Sequence, residues 1–173
     1  MTAQSSVLRL ARIALSILIV LNWVFGAAIL ALLLATIVAQ QWTFAALGIA
    51  ASSGIPGMIA GLRSIAALGL VAIPLNHTVL VRLLMIVNSV RDGDPFVAAN
   101  ADRLRAIGWV LLALQLLSLV IAGIGKAIST TEHPLHLDAG FSTSGWLAVI
   151  LAFVLARVFS EGALMRRDLE GTV

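Results

Sequence analysis

Apolar residues run along the chain in four long blocks separated by short polar punctuation. The first block, from about Ile13 to Ala39, follows Arg9 and Arg12. A secretory signal shares that basic start, but its apolar core is only roughly 7 to 15 residues long. This one continues well beyond that, with no clear small-x-small cleavage site at its end, and reads as an uncleaved anchor. Residues 40–63 are mixed. Trp42 and Phe44 suit a membrane interface, and Ser52, Ser53, Gly54, Pro56 and Gly57 read as loop. The second block, about Ser64 to Leu84, holds Pro74, Asn76, His77 and Arg82 among eleven Leu, Ile and Val residues. Those eleven contribute about 3 to 7 kcal/mol, and one central arginine costs about 2.5 to 3.5. Insertion therefore depends on neighbouring helices. Arg82 sits near the inner end, where it can snorkel, and a bundle tolerates Pro74 because neighbours satisfy the freed carbonyl.

In Arg91-Asp92-Gly93-Asp94-Pro95-Phe96, Gly93 suits the left-handed position after a helix, Asp94 an N-cap and Pro95 the first position of the next helix. The polar stretch Asn100, Asp102, Arg103, Arg105 leads into a third block, Ala106 to Gly125, and Lys126 marks its far edge. A polar loop precedes the fourth block, which begins near Gly145 and Trp146, passes Arg157 and Glu161, and ends in Arg166-Arg167-Asp168-Leu169-Glu170. The prediction is an all-α integral membrane four-helix bundle, one domain over residues 1–173. Its spans are 13–39, 64–84, 106–125 and 145–164, with a cytoplasmic turn over 91–105 and outer loops over 40–63 and 126–144.

Composition supports the membrane reading: the apolar fraction is 61% and the mean hydropathy +1.08, against about 45 to 50% apolar in an average soluble domain. The pI near 11.1 resembles a nucleic-acid signature, yet net charge is only +3 and the basic residues sit at the block edges. They serve as topology signals, and no direct nucleic-acid contact is expected. With both termini cytoplasmic, nine arginines lie inside and only Arg63 and Lys126 outside, as the positive-inside rule asks. A three-span alternative without the second block scores eight against three, so the choice rests on burying residues 64–84. The expected location is the inner membrane of a bacterium. The chain has no cysteine, which removes disulfides, thiolate nucleophiles and Cys-based metal sites.

Two segments carry a family resemblance: Gly93 to Trp109, GDPFVAANADRLRAIGW, and Phe159 to Val173, FSEGALMRRDLEGTV. They resemble the bacterial membrane family catalogued as domain-of-unknown-function family 2975. In that family a G-x-P-F-x-x-x-N-x-x-x-L-R turn joins the middle helices, and the chain ends in a Gly, charged residues and a terminal Thr-Val or Thr-Ile. Gly93, Pro95, Phe96, Asn100, Leu104 and Arg105 fit the first pattern; Gly162, Leu164, Asp168, Thr172 and Val173 fit the second. The resemblance implies a four-helix membrane protein without known enzyme activity, often accompanied by a small helix-turn-helix regulator.

Three groups of residues are candidates for function. Asp94, Phe96, Asn100, Arg103, Arg105, Arg166, Arg167 and Asp168 share the cytoplasmic side and form a possible partner-docking surface; capping and headgroup anchoring account for the same residues without a partner. Asp92 and Asp94 disfavour phosphate binding by the turn, and no Walker pattern is present. Asn22, His77 and Gln115 each fall about 15 Å deep, counted inward at 1.5 Å per residue. They form either a proton or substrate path or interhelical hydrogen-bond glue worth about 0.6 kcal/mol per contact. His77 is expected to face the interior near Asn22 or Gln115. His133, His136 and Asp138, with Glu132, are weak candidates for metal ligands, because H-x-x-H lacks helical facing and Pro134 interrupts any helix. Ser142, Thr143 and Ser144 accompany no nucleophile elbow, paired aspartates or H-E-x-x-H. No enzyme activity and no cofactor are expected. The leading functional expectation is a regulatory or accessory module that binds a partner, with a small oligomeric transporter or channel as the alternative. Gly57 and Gly61, spaced as a small-x-x-x-small pair, leave a homo-oligomer open.

Overall fold

The computed structural model describes residues 2–39, 56–93, 96–129 and 139–170, with side chains from Ser6 to Arg167 within those limits except Pro56. These residues form four helices: α1 (Thr2–Val38), α2 (Pro56–Arg91), α3 (Ala98–Ile128) and α4 (Thr143–Glu170). Each contains a stretch long and apolar enough to cross a membrane. Large apolar side chains remain on the outside, among them Leu21, Val24 and Phe25 on α1 and Ile150, Leu151 and Val154 on α4. In water that surface would drive aggregation; in a bilayer lipid covers it. The all-helical fold class with four membrane-capable helices read from the sequence is the one observed.

The helices pack as consecutive neighbours, α1 on α2, α2 on α3 and α3 on α4, and among the described residues no other pair is in contact. The bundle is thus an open row with α1 and α4 at its edges. Small contacts hold it close: Gly26 faces the Ile73 side chain across α1 and α2, Gly61 faces Ile128 across α2 and α3, and Gly108 faces the Phe153 ring across α3 and α4. Without hydrophobic drive between helices in lipid, such close backbone approach supplies the packing energy.

Two sequence boundaries are corrected. Pro56, Gly57 and Gly61, read as loop, open α2, because proline suits the first helical position and Met58 and Gly61 are buried. The next helix starts at Ala98 with Val97 as N-cap and no side-chain capping bond, three residues beyond the expected cap at Asp94. Asp94 and Pro95 themselves lie outside the described residues. Gly93 has the left-handed conformation expected after a helix, with φ at 94°.

The contacts fix relative depth. Gly61 faces Ile128 and Asn100 bonds Ser89, so the antiparallel register sets Lys126 level with Arg63 and Gln115 level with Pro74. At the other end Arg103 reaches the Met85 carbonyl, near Arg82. The α3–α4 register, with Trp109 on Phe153 and Phe96 over Gly162, places Arg157 beside Arg103. From Arg63 to Arg82 along α2 is about 28 Å at 1.5 Å per residue, close to the ~30 Å of a bilayer's hydrocarbon. Taken as the two edges, Arg63 with Lys126 and the arginine level at 82 to 103 enclose one apolar layer.

Candidate functional site

At the arginine-rich end, the α2–α3 joint is closed by one fully buried side chain. Asn100 is 0% exposed. Its amide nitrogen donates to Ser89 Oγ at 2.6 Å and its oxygen accepts from Arg103 Nη1 at 2.8 Å. Ser89 in turn donates to the Ile86 carbonyl at 2.8 Å, and Arg103 also approaches the Met85 carbonyl at 3.5 Å. An amide is needed here because it donates to one neighbour and accepts from the other. Arg105 pairs with Asp102 at 3.3 Å, both largely exposed, an arrangement worth about 0 to 1 kcal/mol.

Phe96 ties this joint to α4. Its ring lies 5.4 Å from that of Phe159 and covers Gly162, where an added Cβ would come within 2.8 Å of the ring. Phe96 and Gly162, which carry separate halves of the sequence resemblance, therefore meet. Beyond Arg157, paired with Glu161 at 2.7 Å, α4 runs on to Glu170. That is about 20 Å past the arginine level. Leu164 and Met165 on this segment are 54% and 63% exposed, and Arg166 and Arg167 are exposed; the side chain of Asp168 lies outside the described residues.

The mid-depth residues do not form one cluster. Asn22 donates to the Ile73 carbonyl at 3.1 Å, next to Pro74. His77 is half-buried and its Nδ1 accepts from Trp23 Nε1 at 3.2 Å, with the rings edge to face at 5.4 Å. Gln115 turns the other way and donates to the Ser142 carbonyl at 3.4 Å. Asn22 and His77 thus bond across the α1–α2 joint, and Gln115 bonds on the α3–α4 side. Trp23 is the partner that depth counting missed.

Gln115 and Ser118 instead hold the chain entering α4. Ser118 Oγ accepts from Gly140 N at 3.0 Å and donates to Gly140 O at 3.3 Å, while Phe141 stacks on Trp146 with centroids 6.4 Å apart. Ser142 Oγ accepts from Gly145 N at 3.2 Å and caps the helix. Ser118 lies eight residues, about 12 Å, in from the level of Lys126. The fourth helix thus begins level with Gln115 and Ser118 rather than with Lys126, because Gly108, Gly145 and Gly162 lock it in that register against Phe153, Gln115 and Phe96. Glu132, His133, His136 and Asp138 lie outside the described residues; among the described residues no group of metal ligands is assembled.

A row of four helices, each long and apolar enough to cross a membrane, defines a multi-pass membrane protein of helical type. The chain belongs to the family described as Protein of unknown function (DUF2975), whose model matches residues 49–173. That stretch covers α2, α3 and α4 with both resemblance segments, and leaves α1 outside. No curated protein and no solved structure matches the chain.

Proposed function

We propose that this protein is a regulatory or accessory module of a bacterial inner membrane that recruits a partner through the cytoplasmic end of α4 and the turn before α3. The observation that carries the reading is the projection of α4 past the arginine level with Leu164 and Met165 exposed. Outside hydrocarbon, exposed large apolar side chains flanked by arginines fit protein docking better than solvent contact. Phe96 over Gly162 fixes the angle at which the segment leaves the bundle. Kinship favours a small helix-turn-helix regulator as the partner; another membrane protein has the same access. The reading includes no enzyme activity. A conduit through the mid-layer has less support, since Asn22 and His77 bond between α1 and α2 whereas Gln115 bonds the chain entering α4.

Two experiments test this. Single cysteines at Ser5, Ser53, Asp92, Thr131 and Thr172 are expected to label from outside only at Ser53 and Thr131; outside labelling at Thr172 overturns the orientation. Deleting Arg166 to Val173, or replacing Leu164 and Met165 together with aspartate, should leave helical content and membrane insertion unchanged. Recovery of a cytoplasmic partner from solubilised membranes should fall at least tenfold. A truncated protein that fails to accumulate makes the tail structural and removes the main support for docking.

A further inference from the structure

The α1–α2 pair leaves a mid-layer cleft of about 540 Å³, lined by Leu18, Leu21, Phe25 and Ala28 of α1 and by Asn76 and Leu80 of α2. Asn76 is exposed there. Its position is six residues, about 9 Å, inward from Arg82 and thirteen, about 20 Å, from Arg63. A side-chain amide at that depth has no water to bond, and an unpaired polar group in hydrocarbon is expensive. Neighbouring polar groups are engaged: Asn22 bonds the Ile73 carbonyl, Trp23 bonds His77, and Thr78 Oγ1 donates to the Pro74 carbonyl at 2.8 Å. Among the described residues Asn76 has no hydrogen-bond partner. It stands on the free side of the row, since α1 touches only α2 and presents Leu21, Val24 and Phe25 outward.

We infer that this cleft is the interface between two copies of the chain, closed by an amide pair at Asn76. Copies inserted in the same orientation are related by an axis along the membrane normal, so a two-fold contact brings residues of equal depth together. Whatever meets Asn76 across that axis therefore lies at the depth of Asn76. An amide carries both donor and acceptor, so two copies of Asn76 satisfy each other without any further group, which a lipid acyl chain cannot do. Ala28 in the cleft wall, one and two turns from Phe25 and Leu21 on the same face of α1, lets the second α1 approach while the larger side chains fill the 540 Å³. Nothing in this inference depends on the docking role of the α4 end, which lies at the far edge of the row.

The test uses the full chain in liposomes or native membranes, where its lack of cysteine makes single-cysteine variants clean. Cysteines at Phe25, Ala28 and Val79 are oxidised with copper phenanthroline, with cysteines at Ile150 and Val154 on the opposite edge as controls. Disulfide-linked homodimer is expected from the three cleft positions and not from the controls. In the A28C background, N76L should weaken self-association about three- to twenty-fold, the range of interhelical hydrogen bonds in membranes, whereas N76Q, which keeps the amide, should hold most of it. Far-UV circular dichroism of each variant separates weakened association from misfolding. Cross-linking no greater at the cleft than at the controls overturns the inference. So does a yield indifferent to N76L, or cleft cysteines shielded from reagent while the chain stays monomeric, as a lipid occupant would leave them.

Discussion

Replacing Asn100 with alanine is expected to destabilise the bundle by about 2 to 4 kcal/mol, roughly 30- to 1,000-fold in the unfolding equilibrium. The side chain is wholly buried and, among the described residues, bonds both Ser89 and Arg103. Its bond to Arg103 involves a charged donor, worth about 1.5 to 3 kcal/mol, and its bond to Ser89 a neutral one, worth about 0.5 to 1.5. Removing the amide also leaves the guanidinium facing the Met85 carbonyl alone at 3.5 Å, too long to replace what was lost. Ser89→Ala should cost less, about 1 kcal/mol, because Asn100 keeps its bond to Arg103. The double variant should fall short of the sum, since both changes remove the same contact. Unfolding in mixed detergent and dodecyl sulfate micelles, followed by far-UV circular dichroism, measures each value. A cost below about 0.5 kcal/mol for Asn100→Ala would show that lipid headgroups or water replace the network and that the joint is not sealed by it.

That network also marks where sequence reading reaches and where it stops. The four spans were legible because hydrocarbon thickness prescribes their length, and the arginine level because charge cannot sit far inside it. Residue counting puts Asn22, His77 and Gln115 at one level, and the helix register sets Asn22 by Ile73 and Gln115 by Pro74, one turn from His77. Depth says nothing about azimuth, however, and each residue turns about 100° from the last. Gln115 therefore points to the chain before α4 and His77 to Trp23, partners set by packing rather than by count. Helix starts failed for a related reason. Pro56 was read as loop from its company of Ser and Gly, whereas proline at a first helical position is at home and Met58 and Gly61 find α3 to pack on. Phe96 and Gly162 lie 66 residues apart in the sequence. Only the α3–α4 register shows that one needs the absence of a side chain on the other.

The largest effect should come from the chain that enters α4. Gly140 N and O and Ser142 O are backbone groups about 12 to 16 Å inside the layer, and Ser118 and Gln115 hold them. At a water-exposed helix start these groups would bond solvent; at this depth non-helical backbone survives only where protein covers it. Ser118→Ala with Gln115→Leu strips both Gly140 groups, while Ser142 O keeps only its bond from Trp146 N, and at about 1 to 3 kcal/mol for each unsatisfied group the double variant loses about 2 to 6 kcal/mol. That is enough to undo the α3–α4 joint. Gly140→Val should fail by a different route, since φ is 128° and even a Cβ would meet the Ala122 side chain at 3.3 Å. A cysteine at Thr143 reports the outcome. In the parent chain it should resist a membrane-impermeant thiol reagent, and in the double variant it should label as α4 slides outward or detaches, with less full-length protein accumulating in the membrane. Gly145→Ala, whose Cβ would fall on the Gln115 amide, should give the same pattern in weaker form. If Thr143→Cys labels equally in parent and double variant, and both accumulate alike, water already reaches the start of α4. The serine and glutamine would then line a wet recess instead of replacing solvent in a dry one.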